Sequence, residues 1–490
     1  MKFTDATRLK PGDENVLSAL DSRPATGFYW QLTLLSTIGG FLFGYDTANI
    51  GSALNLIPYH LSGFAQGYLV AGASLGAAVG ALAGGPLADR FGRKTLLIVD
   101  AAIYAVGALL SAFTPTAGVL LFARTLIGLG IGADSAIATA YIAEYAPRGK
   151  RGSLGMLQQW MITVGILVAY VVALIILRAA PGSAGGLDWR LILGIGAIPA
   201  LIAVVLRSSM PESPRWLLRH GKYGQMRDAL STLGVEATED QVRATARKLE
   251  RADTKETGTR RSRWTPGVRR ALIVVCVFFI FQQITGINVP LYYGPKLLGS
   301  LFPAGAGNVG TTISGVEITA IMTAVNVAAT YIAFKLIDRA GRRKLAMSGY
   351  AGMLVFAVLA AVGLGALSGT TRIIVVAIAL DLFIASFAAG VGGTGWVLQG
   401  EVFPTAVRGQ AAAIAACVDW VANFALIEVF PAWQSGIGLA WVMICFAGLC
   451  AMAIAFVFWF LPETKGHSVD EIIRLFERGQ ASVGSSASSA

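Results

Sequence analysis

The chain has 490 residues, of which 55% are hydrophobic and only 14% are charged, and its formal net charge is +11. Its mean hydropathy of +0.64 lies above the range of soluble domains and excludes a large soluble enzyme core. We expect the basic excess to face anionic lipid headgroups rather than nucleic acid, because it collects in short loops between apolar stretches.

Twelve apolar stretches of about 20 residues, the length that crosses a bilayer, predict twelve transmembrane helices. They run over 28–50, 67–87, 95–113, 117–142, 154–178, 189–207, 270–295, 311–337, 345–366, 373–400, 409–430 and 438–461. The predicted domains are an N-terminal tail (1–27), a six-helix bundle (28–207), a helical linker (208–268), a second six-helix bundle (269–461) and a C-terminal tail (462–490). In the linker, apolar positions three and four residues apart predict short amphipathic helices, with a flexible link from Lys255 to Arg263. The Ser/Ala/Gly-rich end, 481–490, is expected to be disordered.

Three charged motifs occur twice, once in each group of six helices. The pairs are Asp89-Arg-Phe-Gly-Arg93 with Asp338-Arg-Ala-Gly-Arg342, Glu144 seven residues before Arg151 with Glu401 seven before Arg408, and Pro211-Glu-Ser-Pro with Pro462-Glu-Thr-Lys. The copies are separated by 249 (338 − 89), 257 (401 − 144) and 251 (462 − 211) residues. One helical half has therefore been built twice. Two pseudo-symmetric six-helix bundles around a midplane site are the architecture of a secondary transporter.

Lys and Arg in the short loops predict the orientation. Twelve of them fall on the side that also holds both termini and four on the opposite side, so the positive-inside rule places both termini in the cytoplasm. We expect a multi-pass protein of the plasma or inner membrane, acting as a monomer. No metal spacing, cofactor motif or catalytic motif is found, which predicts a protein that is not an enzyme and needs no metal or cofactor. The four cysteines lie in apolar spans and are expected to be packing residues: Cys276, Cys417, Cys445 and Cys450.

The repeated charges predict a network at the cytoplasmic ends of the helices. Arginines there can bind carboxylates in forked pairs, and such pairs can latch the two halves in one state and break in another. The alternative is that these residues only anchor the helices at the inner surface. The predicted cytoplasmic gate comprises Asp89, Arg93, Glu144, Arg151, Asp338, Arg342, Glu401 and Arg408.

The sequence resembles the sugar porter family of the major facilitator superfamily over about residues 35–467. The motifs that carry the resemblance are Gly44-Tyr-Asp46, Arg124, Ala143-Glu-Tyr-Ala-Pro147, Pro211-Glu-Ser-Pro-Arg-Trp-Leu217, Gln282-Gln-Ile-Thr-Gly-Ile-Asn288 with Tyr292-Tyr293, Trp396 to Glu401-Val-Phe-Pro404, and Pro462-Glu-Thr-Lys-Gly466. The resemblance implies an all-α membrane protein with twelve transmembrane helices in two six-helix bundles. It also implies an intracellular helical domain at the middle loop and alternating access for a monosaccharide or polyol.

The resemblance also implies a set of substrate-binding residues. They are Gln159, Gln282, Gln283, Asn288, Tyr292, Asn326, Trp396, Trp420 and Asn423, to which we add Asp419 beside Trp420. Amides suit a sugar because they both donate and accept hydrogen bonds, while Trp faces pack on its C–H surface. On a continuous helix Gln282, Gln283 and Asn288 would point into the bundle. The alternative is that these amides only join helices. The tenth span lacks the family's usual Gly-Pro before Trp396, so its bend is expected to depend on glycine.

Several acids lie within the apolar spans, where an unpaired charge costs about 2.5–3.5 kcal/mol. Asp46 matches the first-span Asp of proton-coupled family members, and Arg124 is the matching cation. We predict a proton site there, the alternative being a static ion pair. Glu317 and Glu428 are expected near headgroup water. For Asp134 and Asp419 two interpretations stay open: they shape specificity, or they indicate a polyol, aminated or cationic substrate.

Three functions compete. The first is proton/monosaccharide symport of a hexose, a pentose or a cyclic polyol, with the sugar and H⁺ as the partners. The second is facilitative uniport on the same fold, and the third is a membrane sugar sensor. A sensor needs signalling tails, and only about 27 residues before the bundles and 28 after them are available.

Overall fold

The computed structural model describes residues 7–8, 16, 27–59, 61, 63–145, 151–179, 187–257, 264–302, 307–404, 407–467 and 469–478. Helices make up nearly all of these residues, because in a bilayer backbone N–H and C=O groups must be satisfied within the segment itself. Among the described residues, eleven segments are long and apolar enough to cross a membrane, and span 1 supplies the twelfth as two shorter helices.

The twelve spans match the predicted stretches to within a few residues at most ends. They are span 1, Gly27–Ser36 and Ile38–Ala53; span 2, Phe64–Phe91; span 3, Arg93–Ala112; span 4, Ala117–Tyr145; span 5, Arg151–Ala179; span 6, Leu187–Gly194 and Ala197–Ser208; span 7, Pro266–Ile284 and Asn288–Gly299; span 8, Gly307–Ala340; span 9, Arg342–Ala366; span 10, Gly369–Gly390 and Gly392–Glu401; span 11, Arg408–Ile437; and span 12, Leu439–Phe460. Spans 1–6 form the N-terminal bundle and spans 7–12 the C-terminal bundle. The predicted fold class is therefore confirmed.

Four spans are broken rather than continuous, and two of the breaks depend on glycine. Span 7 turns at Gly286, where φ is +92°, and a side chain there would lie 2.5 Å from the Phe446 ring of span 12. Span 10 breaks at Val391, directly beside Gly390, whose missing side chain lets its backbone pack on Gly349 of span 9. Both breaks lie at the level of the central cavity described below.

Small residues bring spans 2 and 4 into backbone contact. A Cβ on Gly128 would lie 1.8 Å from the carbonyl oxygen of Ala73, and one on Gly132 would lie 1.9 Å from that of Ala77. Gly76 and Gly80 meet span 4 in the same way. These glycines therefore pack the two helices together, since no larger residue fits.

The polar linker forms three helices, Pro214–Arg219, Tyr223–Thr232 and Glu239–Thr257, that pack on the ends of spans 2, 3 and 4. We call this the linker side of the molecule. The third helix continues through Thr257, so it occupies the first residues of the predicted flexible link. The rest of that link, 258–263, lies outside the described residues.

Both tails also contact the linker side. Thr7–Arg8 pairs in parallel with Val235–Glu236 as a two-residue strand, which the sequence did not predict. The C-terminal helix Val469–Arg478 packs against the start of span 7, where Arg270 donates to the carbonyl oxygen of Phe476 at 3.1 Å. Residues 481–490 lie outside the described residues.

Candidate functional site

One cavity lies between the two bundles and collects most of the predicted binding residues. We call it the central cavity. Nine of the ten predicted residues line it: Gln159, Gln282, Gln283, Asn288, Asn326, Trp396, Asp419, Trp420 and Asn423. Their spans are far apart in sequence, so the cavity exists only because the two bundles face each other. The tenth residue, Tyr292, is not among the lining residues and is placed elsewhere.

A chain of hydrogen bonds crosses the cavity wall. Asp419 accepts from Nε2 of Gln283 at 2.6 Å, and Oε1 of Gln283 accepts from Nδ2 of Asn288 at 2.7 Å. Asn288 also donates to Oδ1 of Asn423 at 3.0 Å, and Asn423 donates to Ser74 of the other bundle at 3.0 Å. A carboxylate only accepts hydrogen bonds, so the NH₂ group of Gln283 must face Asp419. The oxygen of Gln283 is then left to accept from Asn288.

The break in span 7 brings this chain together. Gln283 lies before the turn at Gly286 and Asn288 lies after it, so the expected spacing on one continuous helix is not what joins them. The turn folds Asn288 back toward Gln283. Gln282 on the same helix donates to the carbonyl oxygen of Gly392 at 3.1 Å, a group that belongs to the broken region of span 10. Oε1 of Gln282 is buried and has no partner among the described residues.

Two tryptophans frame the cavity. Trp396 meets Phe279 edge-on with ring centroids 5.5 Å apart, and Trp420 meets Phe43 of the opposite bundle in the same way at 4.8 Å. Trp420 also donates to Ser135 of span 4 at 3.5 Å. These contacts hold flat apolar faces beside the amide groups.

Sequence reasoning missed an apolar and hydroxyl lining from the N-terminal bundle. Gln159, Ile162, Thr163 and Ile166 all line the cavity and follow one another at i, i+3, i+4 and i+7. That spacing is one helix face and could have been found by extending the helix from Gln159. Phe43 and Thr47, four residues apart on span 1, line the cavity on the same basis.

A buried ion pair lies beside the cavity in the N-terminal bundle. The guanidinium of Arg124 binds both carboxylate oxygens of Asp46, with Nη2 at 2.8 Å from Oδ2, and its Nε donates to the carbonyl oxygen of Leu69 at 3.2 Å. Asp46 is 3% exposed and Arg124 is 0% exposed, so the pair is shielded from water. Asp46 adjoins Thr47, which lines the cavity.

Tyr292 connects this ion pair to the C-terminal bundle. It is buried on span 7, near Thr47 and Ser74 and close enough to Asp46 and Arg124 to sense their charges. Tyr292 therefore lies on the face of the C-terminal bundle next to the ion pair, although it was predicted to bind the substrate.

The repeated charged motifs form matching networks on the linker side. Arg93 binds Asp89 at 2.7 Å and Glu144 at 3.0 Å, and it donates to the carbonyl oxygen five residues earlier. Arg342 binds Asp338 at 3.1 Å and Glu401 at 2.6 Å, and it also donates to the carbonyl oxygen five residues earlier.

The third repeat supplies a partner that the sequence did not assign. Glu212 accepts from the backbone N–H groups of Arg93 and Lys94 at 3.0 and 3.2 Å. Glu463 accepts from those of Arg342 and Arg343 at 2.9 and 3.2 Å. Each Glu thus caps the N-terminus of a span, where negative charge is favoured. The doubled Pro-Glu motif was the signal available in the sequence.

Each of these networks joins helices within one bundle in this structure, whereas the predicted latch would bridge the two. Arg408 donates to the carbonyl oxygen of Phe403 at 3.0 Å, within its own bundle. The side chain of Arg151 lies outside the described residues. A latch between the bundles therefore stays a prediction for another conformation.

The bundles do meet on the side of the cavity opposite the linker. Tyr170 of span 5 donates to the carbonyl oxygen of Leu291 at 2.6 Å, and Arg178 binds Glu317 at 2.7 Å. A side chain on Gly51 would lie 2.5 Å from the carbonyl oxygen of Tyr292. Glu317 is partly exposed and lies ten residues into span 8.

Asp134 has a different place from the one the sequence left open. It does not line the central cavity but binds Arg207 of span 6 together with Asp100 of span 3, with all three side chains buried. Asp419 does line the cavity. The two acids that the sequence could not separate are therefore separated by the structure.

Three comparisons place the chain among known proteins. The family model described as "Sugar (and other) transporter" matches residues 32–476. The chain is 34% identical to the arabinose-proton symporter of Bacillus subtilis, over 92% of this chain and 95% of that protein. It is 35% identical to the D-xylose transporter of Levilactobacillus brevis, over 91% and 95%.

A solved structure agrees in fold over the same length. The xylose transporter XylE from E. coli, in a partially occluded inward-open conformation, superposes with a TM-score of 0.76 at 28% identity, covering 90% of this chain and 100% of that one. With two six-helix bundles, a cavity between them and the family motifs in order, the chain belongs to the sugar transporter family of the major facilitator superfamily.

Proposed function

We propose that the protein is a proton/monosaccharide symporter that works by alternating access and carries a hexose, a pentose or a cyclic polyol. The observation that carries the proposal is the buried Asp46–Arg124 pair beside an amide-lined cavity. A relative named as an arabinose-proton symporter supports the coupling to protons. The linker side is assigned to the cytoplasm of a plasma or inner membrane, because the basic loops lie there.

The central cavity is the proposed sugar site. Gln159, Gln282 and Asn326 offer amide groups to it, and Trp396 and Trp420 offer flat apolar faces. A sugar needs both kinds of contact, since its hydroxyls donate and accept while its C–H surface packs. The unpartnered Oε1 of Gln282 is an acceptor in this wall to which a substrate hydroxyl can donate.

Asp46 is the proposed proton site. Its carboxylate holds Arg124 in a two-oxygen fork, and a proton on that carboxylate would remove one of the two acceptors and the charge. Thr47 and Phe43 on the same helix line the cavity, and Tyr292 reaches the pair from the other bundle. Protonation and bundle closure thus act on the same stretch of span 1.

The membrane potential supplies enough energy for this coupling. One charge moved through 100 mV is worth about 2.3 kcal/mol, which corresponds to roughly 50-fold accumulation of the sugar. In this scheme the matched arginine networks keep each bundle rigid on the linker side while the bundles rock.

Uptake into proteoliposomes tests the proposal. Purified protein is reconstituted and given a radiolabelled pentose, hexose or inositol, with and without an imposed inward proton gradient. We expect accumulation above the outside concentration only with the gradient, and a competition panel identifies the substrate class. Equilibration without accumulation under any gradient would instead establish the uniporter. Binding with neither uptake nor exchange would point to a sensor.

A further inference from the structure

A second buried charge cluster lies in the N-terminal bundle, away from the central cavity. Arg207 of span 6 donates from Nη1 to Asp100 at 2.8 Å and from Nη2 to Asp134. It also donates to the carbonyl oxygens of Leu97 at 2.6 Å and Ser36 at 3.1 Å. Arg207 is 0% exposed, and the two carboxyl groups are 3% and 2% exposed.

The charges in this cluster do not balance as they do in the Asp46–Arg124 pair. Arginine stays positive in proteins, so two ionised carboxylates would leave one net negative charge in a site closed to water. A buried charge without a partner is destabilised until it is neutralised. Binding one proton to one of the two carboxyl groups removes that charge.

The buried oxygens of the cluster that lack a partner among the described residues are the places where a proton can be bound. Among the described residues, Oδ2 of Asp100 and Oδ2 of Asp134 are both buried without a partner, and so is Oε1 of Gln158, whose side chain is within hydrogen-bonding reach of Asp134. A proton on Oδ2 of Asp134 lets that oxygen donate a hydrogen bond to Oε1 of Gln158, so that both atoms gain a partner.

We propose that the Asp100–Arg207–Asp134 cluster is a second proton-binding site, in which Oδ2 of Asp134 carries the proton and donates a hydrogen bond to the amide oxygen of Gln158. Asp100 then remains the ionised partner of Arg207. The proposal is independent of the sugar and of the role of Asp46.

The charged groups that act on the cluster are its own members. Arg207 and Asp134 act on Asp100, and Arg207 acts on Asp134. Span 1 contributes the carbonyl oxygens of Leu35 and Ser36 and the glycines described next, and span 5 contributes Gln158. Farther along span 1, Asp46 forms a separate group with Arg124 of span 4 and Tyr104 of span 3.

The site supports the break in span 1. Gly39 follows the break at Thr37, and a side chain on Gly39 would lie 1.8 Å from the carboxyl group of Asp134. One on Gly40 would lie 2.8 Å from the carbonyl oxygen of Gln158. The proton therefore stabilises the contact of Gly39 and Gly40 with Asp134 and Gln158, at the start of the helix that also carries Asp46.

Infrared spectroscopy of the full-length protein in detergent tests the site directly. We expect the C=O stretching band of a protonated carboxylic acid at neutral pH, shifted by exchange into D₂O. Asp134→Asn removes the acid and should remove this band. Asp100→Asn should remove it too, because Asp134 then ionises to pair with Arg207. Gln158→Leu should shift the band without removing it, and Asp188→Asn, at a buried acid that accepts from a backbone N–H, should leave it unchanged.

Each outcome decides the proposal. A wild-type spectrum without this band, or the same band in Asp134→Asn, means that no proton is held at Asp134. If the band keeps the same frequency in Gln158→Leu, the proton is bound to Asp100 instead. Failure of Asp134→Asn to fold also contradicts the proposal, since asparagine can make the same two bonds as the neutral acid.

A second measurement uses the pH dependence of the melting temperature. A group that holds a proton only when folded stabilises the protein at low pH, and this stabilisation is lost as the pH rises. The wild type should lose melting temperature as the pH rises above about 4, the ordinary pKa of an aspartic acid in the unfolded chain, until the folded cluster itself loses its proton, and Asp134→Asn should lose less. Parallel curves for the two proteins would overturn the proposal.

Discussion

The linker-side ends of the two bundles are nearly identical, whereas their centres are chemically different. Arg93 and Arg342 each bind an acid four residues earlier, a second acid at the end of the next span, and a carbonyl oxygen five residues earlier. At the centre, the N-terminal bundle buries the Asp46–Arg124 pair, and the C-terminal bundle places amides around the cavity.

This difference matches the two tasks that the proposed mechanism assigns to the two bundles. The ends stayed alike because both bundles need the same caps where a span begins at the membrane surface. In the proposed mechanism the centres differ because a proton needs a titratable acid with a cation, whereas a sugar needs neutral groups that donate and accept. In the proposed mechanism one bundle therefore handles the proton and the other provides most of the sugar contacts.

The largest expected effect comes from removing the acid in the N-terminal centre. Asp46→Asn should abolish accumulation, a loss of roughly 50-fold at 100 mV, because the asparagine cannot carry a proton. Counterflow of labelled sugar between equal concentrations should remain. The measurement is uptake with and without a proton gradient, with Asp228→Asn on the exposed linker as the matched control. Continued accumulation by Asp46→Asn would mean that another acid carries the proton, and it would contradict the assignment of the proton to the centre of the N-terminal bundle.

The next effect belongs to the amide centre of the C-terminal bundle. Gln283→Ala breaks the bonds to Asp419 and Asn288, and losing a buried partner costs about 1–3 kcal/mol, or roughly 5- to 150-fold in affinity. The dissociation constant is measured by sugar-dependent tryptophan fluorescence. Gln241→Ala, in the linker, serves as the control. Unchanged affinity in both Gln282→Ala and Gln283→Ala would mean that these amides hold helices together and do not bind the sugar.

A smaller effect is expected at Asp419, the one acid among the cavity amides. In Asp419→Asn the side-chain oxygen still accepts from Gln283, but a neutral acceptor is weaker by about 1 kcal/mol, or roughly fivefold in binding. The order of preference among sugars and polyols should change, and Asp419→Ala should be more damaging. Competition profiles of the wild type and both variants provide the comparison. Identical rank orders in all three would assign Asp419 to structure.

The smallest effect tests the likeness of the two ends. Glu212→Gln and Glu463→Gln each weaken a pair of bonds to backbone N–H groups, and each should cost about 1 kcal/mol of stability. Melting temperatures in detergent should fall by similar amounts in the two variants. A clear inequality between them would mean that the two ends are alike in geometry but not in energy.

The sequence by itself determined the twelve spans, the two halves and most of the cavity residues. Bilayer thickness fixes the length of an apolar span, and the repeated Asp89 and Asp338 motifs mark the equivalent ends. Nine of the ten predicted binding residues line one cavity, because their motifs fix where each lies on its span.

Only the tertiary structure decided which buried charges pair and where the spans break. Arg207 meets Asp134 across 73 residues, and nothing local in either span indicates the partner. Tyr292 lies by the ion pair rather than in the cavity lining, and Asn288 reaches Gln283 because span 7 turns at Gly286. Such contacts depend on how each helix is rotated and how closely neighbouring backbones approach. Those quantities are set by packing between distant spans, so they are absent from the pattern of any one of them.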